Sequence, residues 1–407
     1  MTIADTQSTT TAHRPAALPA PTRSISVHTR AVAVVLAGYA LARLVTVSLL
    51  AVGHVLARTG WWPWTNYDAS RSFGGFLQWW DGHAYQVIAT TGYPSTLPRT
   101  TDGLVQQNEW AFLPGYPAVT RWVMDWTGLD FPAAGALVSI IAGAAAVVAL
   151  YAVVVHQFGV DRAVRAGMLF ACNPLAIVFH VTYAETLFLA LSFTALALLV
   201  RGRWLTLVPL AVAAAAVRPG ALFIPAALGA VFVDAVLRRR RMPWTRWVAL
   251  VGAGLVTAAA GLAWPVVVSA VTGTPDAYVL TELAWWRDII GVVEFVPLTP
   301  SFLLGWSLGG VLGVAVVAVA LGTVTVVAVR RSRGAALPLR AAVLSYGLYV
   351  VAVFLPQQSL FRLLLPAAPA LGSSTFTGTR RRFVVTCGVF VALQPVAIVF
   401  LWLTWPL

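Results

Sequence analysis

A chain of 407 residues that is 59% hydrophobic and only 10% charged carries more apolar surface than a soluble core can bury, so the bilayer must solvate most of it. The net charge of +13 does not make it a nucleic-acid binder, because the basic residues fall in short clusters between apolar runs, as orientation signals do. The two cysteines, Cys172 and Cys387, both lie inside apolar runs and build neither a disulfide framework nor a zinc site.

All 27 basic residues are Arg, which together with abundant Ala, Val and Gly points to a GC-rich bacterial source. Residues 1–30 are rich in Thr, Ala, Pro and Ser and read as a disordered cytoplasmic tail. The apolar run 31–57 is too long for a signal-peptide core and reads as an uncleaved first span, opening one membrane domain over 31–407. A polar outer loop follows at 58–131. Further apolar runs lie at 132–157, 163–179, 182–200, 204–217, 219–237, 247–271, 302–329, 341–355, 363–373 and 383–403. They predict about eleven spans, several shorter than the ~20 residues that cross a hydrocarbon core of about 30 Å.

The stretch 110–126 is a candidate for one more span, and charge decides against it. With the N-terminus inside and that stretch lying flat, most of the 27 arginines fall in cytoplasmic segments, including Arg238–Arg241 and Arg380–Arg382. Crossing the membrane there would put Arg238–Arg241 outside. Most of the 14 acidic residues then fall on the outer side, Glu282 among them. Chemistry is therefore expected at the outer face, opposite the cytoplasmic pool of soluble nucleotide-activated donors, and no GxGxxG or P-loop pattern occurs in the chain.

The first outer loop carries Trp79-Trp80-Asp81-Gly82-His83-Ala84-Tyr85. Large rings around Asp81 desolvate it, which makes the carboxylate a stronger proton acceptor, and the same rings suit the face of a sugar. An aromatic belt, with Asp81 capping a helix that begins at Gly82, accounts for the pattern as well. Asn108-Glu109-Trp110 precedes Pro114-Gly115-Tyr116-Pro117, whose prolines hold Glu109 beside a rigid turn or simply shape an interfacial loop.

His180-Val181-Thr182-Tyr183-Ala184-Glu185 sits at an outer hinge. The helix dipole alone favours Glu185 there, but an ionisable group this close to hydrocarbon is a functional candidate. Arg218-Pro219-Gly220 and Gln357-Gln358-Ser359-Leu360-Phe361-Arg362 place cations beside breaks at the same face. They suit a phosphate, although an isolated arginine there also suits snorkelling to headgroups. No metal-ligand spacing is present around His54, His156 or Arg43.

Trp80-Asp81-Gly82-His83-Ala84-Tyr85, Ile88-Ala89, Gly92-Tyr93, the run Ala111-Phe112-Leu113-Pro114-Gly115-Tyr116-Pro117, and Tyr183-Ala184-Glu185-Thr186-Leu187-Phe188 follow one another in this order. Over residues 76–190 they resemble the family of the second mannosyltransferase of GPI-anchor synthesis, the PIG-V-like family. The resemblance implies an all-α polytopic bundle of GT-C type, with a large first outer loop containing interfacial helices. Such enzymes use a polyprenyl-phosphate sugar at the outer or luminal face and usually invert the anomeric centre. The resemblance maps the catalytic acid onto Asp81, and the family's other acidic positions onto Glu109 and Glu185. The family's AFFP-type run is Ala111-Phe112-Leu113-Pro114 here, and a bacterium makes no GPI anchor, so the acceptor does not carry over.

The resulting expectation is a mannosyl, or more broadly hexosyl, transferase with Asp81 as general base. Trp80, His83, Tyr85, Glu109, Tyr183, Glu185, Arg218, Gln358 and Arg362 are the expected substrate contacts. The expected partners are membrane lipids, a polyprenyl-phosphate sugar donor and a lipid or glycan acceptor, with no metal and no cofactor beyond the donor. A lipid or sugar transporter or flippase is the alternative. Such folds often show internal repeats with paired broken helices, and no repeat is visible.

Overall fold

The computed structural model describes residues 22–404 except 63, 64, 66, 67 and 69, with side chains from Val27 onward. Helix α1 (Thr22–Arg58) begins inside the stretch read as a tail, and the rest of that stretch lies outside the described residues. After it come two short helices, α2 (Phe73–Leu77) and α3 (Asp81–Thr90). Among the described residues the β pairing is an isolated bridge between Arg99 and Val105.

Helix α4 (Gly115–Thr127) is the stretch for which charge argued against a span. Its 13 residues reach only about 20 Å. It turns Tyr116, Pro117 and Thr120 inward, leaves Trp122 and Trp126 exposed, and stops where Gly128 takes the left-handed conformation (φ 72°).

Helix α5 (Phe131–Phe158) starts where Asp130 accepts a hydrogen bond from Ala133 N (3.1 Å) and ends at Gly159. It packs most extensively on α7 (Glu185–Val200), an apolar helix buried on nearly every side. Small residues Ala134, Gly135, Ala142, Gly143 and Ala146 let neighbours approach α5 closely. The bundle continues through α8 (Trp204–Val217), α9 (Phe223–Leu237), α10 (Trp244–Thr272), α11 (Ala277–Ile290), α12 (Pro300–Ser332) and α13 (Leu337–Val353). Short helices α14 (Leu360–Leu363) and α15 (Ser374–Thr377) precede α16 (Arg380–Ala397), which runs on as a π-helix to Thr404.

Among the described residues, six helices, beginning at Val27, Phe131, Pro219, Trp244, Pro300 and Arg380, are long and apolar enough to cross a membrane. Helices α7, α8 and α13 are apolar but shorter. None of the most apolar window of α12 is buried in the protein, and Val311 and Leu312 are each 74% exposed, so lipid must cover them. That helix is also broken at Gly309 and Gly310 (φ 54°), where the sequence suggests one continuous span.

Two more of the expected spans are interrupted. The run 163–179 is helical only through α6 (Val160–Ala171) and resumes as a 3₁₀ turn at Ala176–Phe179, because Pro174 offers no N–H and disfavours helix at Asn173. Several carbonyls around the break find side-chain donors. Arg43, buried in α1, donates to Ala171 O (2.5 Å) and Ala176 O (2.8 Å), Asn173 Nδ2 donates to Phe170 O (2.6 Å), and Gln394 Nε2 donates to Cys172 O (3.0 Å). Tyr39 and Phe179 flank the Arg43 guanidinium at 4.8 and 4.5 Å. The run 363–373 likewise divides between α14 and a 3₁₀ segment, Leu365–Gly372, that contains Pro366 and Pro369.

Candidate active site

At one end of the bundle, the loop motifs are stitched together by glycine contacts and backbone bonds. Thr182 N donates to Leu77 O (3.1 Å), and Thr182 packs so tightly on Gly82 that a Cβ there would overlap its hydroxyl. Tyr116 Oη donates to Gly135 O (2.9 Å), and Ser139 Oγ donates to Val181 O (2.8 Å). A Cβ on Gly115 would lie 2.8 Å from Ala216 O and 2.7 Å from Val217, so α4 seats directly against the end of α8 that leads into Arg218. The glycines of the two motifs thus allow three chain segments to meet at van der Waals distance.

Asp81 opens α3 rather than capping it. The residue before it, Trp80, takes φ 58° and ψ −122°, a conformation that costs a non-glycine residue about 1–3 kcal/mol. Arg362 Nη1 donates to Asp81 Oδ2 (2.5 Å) and to Glu185 Oε1 (2.8 Å). Arg218 Nη1 pairs with the same Glu185 oxygen. Pro219 holds Arg218 extended (φ −150°, ψ 147°), and Gly220 lets that turn lie against Tyr346. The Tyr183 ring lies under the Arg362 guanidinium, 5.0 Å from centroid to carbon.

Two carboxylates and two guanidinia therefore form one buried, formally neutral network. Burial pushes the Asp81 carboxyl above its ordinary range, Arg362 pulls it back, and Glu185 adds to the rise. Among the described residues, Arg362 Nε and the hydroxyl of Ser359 have no hydrogen-bond partner.

A cavity of about 420 Å³ opens over this network. Of the residues expected to form the site, Asp81, Tyr85, Arg218 and Arg362 line it. Glu185, 3% exposed, and Tyr183 lie beneath it and hold the arginines. The other expected contacts stand apart. Trp80 stacks on Trp79 (4.6 Å) and donates to Trp402 O (3.3 Å), His83 is exposed, Glu109 starts a 3₁₀ turn, and Gln357 faces the cavity in place of Gln358.

The motif run also supplies Ala111, Phe112 and Leu113, and much of the rest of the wall comes from segments outside the motifs. Helix α11 supplies Tyr278, Glu282 and Trp285, α10 supplies Trp264, and α13 supplies Tyr349. The loop 92–112 fastens α10 and α11 in place, through Trp264 Nε1 to Trp110 O (3.2 Å) and Arg287 Nη2 to Val105 O (2.7 Å). In sequence, the signal for α11 is the Tyr278–Glu282 pair at helical spacing, which puts both side chains on one face.

No protein-family model matches the chain, and no curated protein is similar to it in sequence. Solved structures align with it. An Archaeoglobus fulgidus oligosaccharyltransferase in complex with zinc and sulfate aligns over 86% of this chain and 52% of its own, at 13% identity and a TM-score of 0.43. ArnT from Cupriavidus metallidurans bound to undecaprenyl phosphate aligns over 87% and 60%, at 16% identity and a TM-score of 0.41. The apo state of that protein aligns over 88% and 59%, at 16% identity and 0.39. This chain thus spans between about half and three fifths of the length of those proteins. At such scores neither substrate nor reaction passes from them to it.

Proposed function

We propose that the chain is a membrane glycosyltransferase of GT-C type. In this reading it transfers a hexosyl residue, mannosyl on the motif resemblance, from a polyprenyl-phosphate sugar to a hydroxyl of a lipid or glycan at the outer face. The observation that carries it is the convergence of Asp81 with two arginines from separate turns at one aromatic-walled cavity. A proton acceptor beside paired cations suits transfer from a phosphate-linked donor.

Arg362 occupies Asp81 Oδ2, and Oδ1 takes the proton of the acceptor hydroxyl. The acceptor oxygen bonds to the anomeric carbon from the face opposite the phosphate. The bond from that carbon to the phosphate oxygen breaks, its electron pair stays on the phosphate, and the anomeric centre inverts. Proton uptake removes the Asp81 charge, which leaves the network one positive charge in excess just as the leaving phosphate gains one negative charge. Arg218 and Arg362, which line the cavity, are the groups that receive it. Glu185 positions both guanidinia and does not touch sugar. No cofactor beyond the donor takes part.

Asp81→Asn preserves shape and removes the base, so turnover of polyprenyl-phosphomannose should fall about 10²–10⁴-fold. The readout is polyprenyl phosphate released by purified, correctly inserted protein in the presence of EDTA. Wild-type turnover by the variant would remove Asp81 from the role. Strict dependence on added magnesium or manganese would overturn the metal-free mechanism. Donor carried unchanged across liposomes would favour a transporter.

A further inference from the structure

Glu282 lines the cavity without an ion-pair partner among the described residues, unlike Asp81 and Glu185. Arg287, one turn further along α11, is committed to Val105 O. The Tyr278 hydroxyl lies one turn back on the same face of α11 and lines the same cavity. The groups facing Glu282 from other elements are Arg218 after α8, Tyr349 on α13 and Asp81 on α3. It therefore lies within electrostatic reach of both the arginine that faces the phosphate and the acid that takes the proton. In an inverting transfer, the sugar ring is the part of the donor that lies between those two points. Trp285, which also lines the cavity, stands edge-on to Phe112 at 5.9 Å, and both rings present apolar surface to the same space.

We propose that Tyr278 and Glu282 form a hydroxyl-recognition pair that grips the sugar ring of the polyprenyl-phosphate donor. This assignment rests on the glycosyltransferase reading and gives that site its sugar-specificity element.

Burial pushes the Glu282 carboxyl up to about 7, against the pull of the neighbouring Tyr278 hydroxyl and of Arg218, with Asp81 adding to the rise. Below that pH the group is neutral and both donates and accepts hydrogen bonds, as a sugar hydroxyl requires. Above it, a second negative charge faces Asp81 and the donor's own phosphodiester. Donor affinity should therefore be full below about pH 7 and decline as pH rises through it.

The test measures affinity of the full-length protein for polyprenyl-phosphomannose and for polyprenyl methyl phosphate, two phosphodiesters that do not titrate between pH 6 and 8. Wild type should lose about tenfold in affinity for the mannose-bearing lipid between those limits, since each unit above the transition halts binding in nine tenths of molecules. Glu282→Gln, which copies the neutral acid, should abolish that slope. Glu282→Ala and Tyr278→Phe should weaken the mannose-bearing lipid about 2–10-fold at pH 6 and leave the methyl phosphate unchanged. A wild-type slope in Glu282→Gln, or equal loss on both lipids in Glu282→Ala, overturns the pair while leaving the transferase reading intact. Wild type that binds neither lipid overturns the transferase reading itself.

Discussion

Glu185 holds Arg218 and Arg362 with a single oxygen, at a position 3% exposed. Replacing it with Gln leaves two buried guanidinia facing each other with only Asp81 between them, and breaking a buried pair in this way typically costs about 3–5 kcal/mol. Glu185→Gln should therefore lower the thermal midpoint in detergent and weaken donor binding together. An unchanged midpoint would mean that the arginines need no shared anion. Asp81, Arg218 and Arg362 are legible in the sequence because each sits in a short polar break between apolar runs, where a charge is conspicuous. Glu185 is legible as a residue but not as a role, since nothing local says that its partners are arginines rather than sugar hydroxyls. Glu282 stands in an ordinary amphipathic helix, and only the packing of α11 against the loop 92–112 turns it toward the cavity.

The interruption after α6 shows how an element boundary depends on distant side chains. Hydropathy continues through Cys172 and Phe179, but Asn173-Pro174 stops the helix and exposes carbonyls that must be satisfied away from water. Arg43 supplies two of the donors. Arg43→Met keeps the apolar stem and removes both bonds, and each orphaned carbonyl costs about 1–3 kcal/mol. The variant should melt at lower temperature, while the fraction that remains folded binds donor as wild type does. Wild-type stability would show that those carbonyls are satisfied in another way. The same dependence governs α3 and α4. Their glycines look like loop punctuation in the sequence, yet Gly82 and Gly115 are needed where Thr182 and the end of α8 press against them.

Across the whole molecule, arginine placement predicts the N-terminus inside and the Asp81 end outside. Cysteine scanning in a chain carrying Cys172→Ser and Cys387→Ser checks this. Asp102→Cys, on the exposed first loop, should react with an impermeant maleimide added to intact cells, and Arg239→Cys should react only after permeabilisation. The reverse pattern would invert the topology and put the cavity opposite the cytoplasm-free donor face assumed for it.

Hydropathy and charge clustering are local properties, so the membrane class follows from the sequence itself, and together with motif order they carry the expectations that α4 lies flat and that Asp81 is the base. What only tertiary structure decided is which groups share a site. Arg362 reaches Asp81 across 281 positions and Glu185 across 177, and α11 closes the wall opposite them. Ion pairing inside a low-dielectric bundle is set by the meeting of segments that no local pattern connects, so the partner of each charge, and with it each charge's role, emerges only when the helices pack.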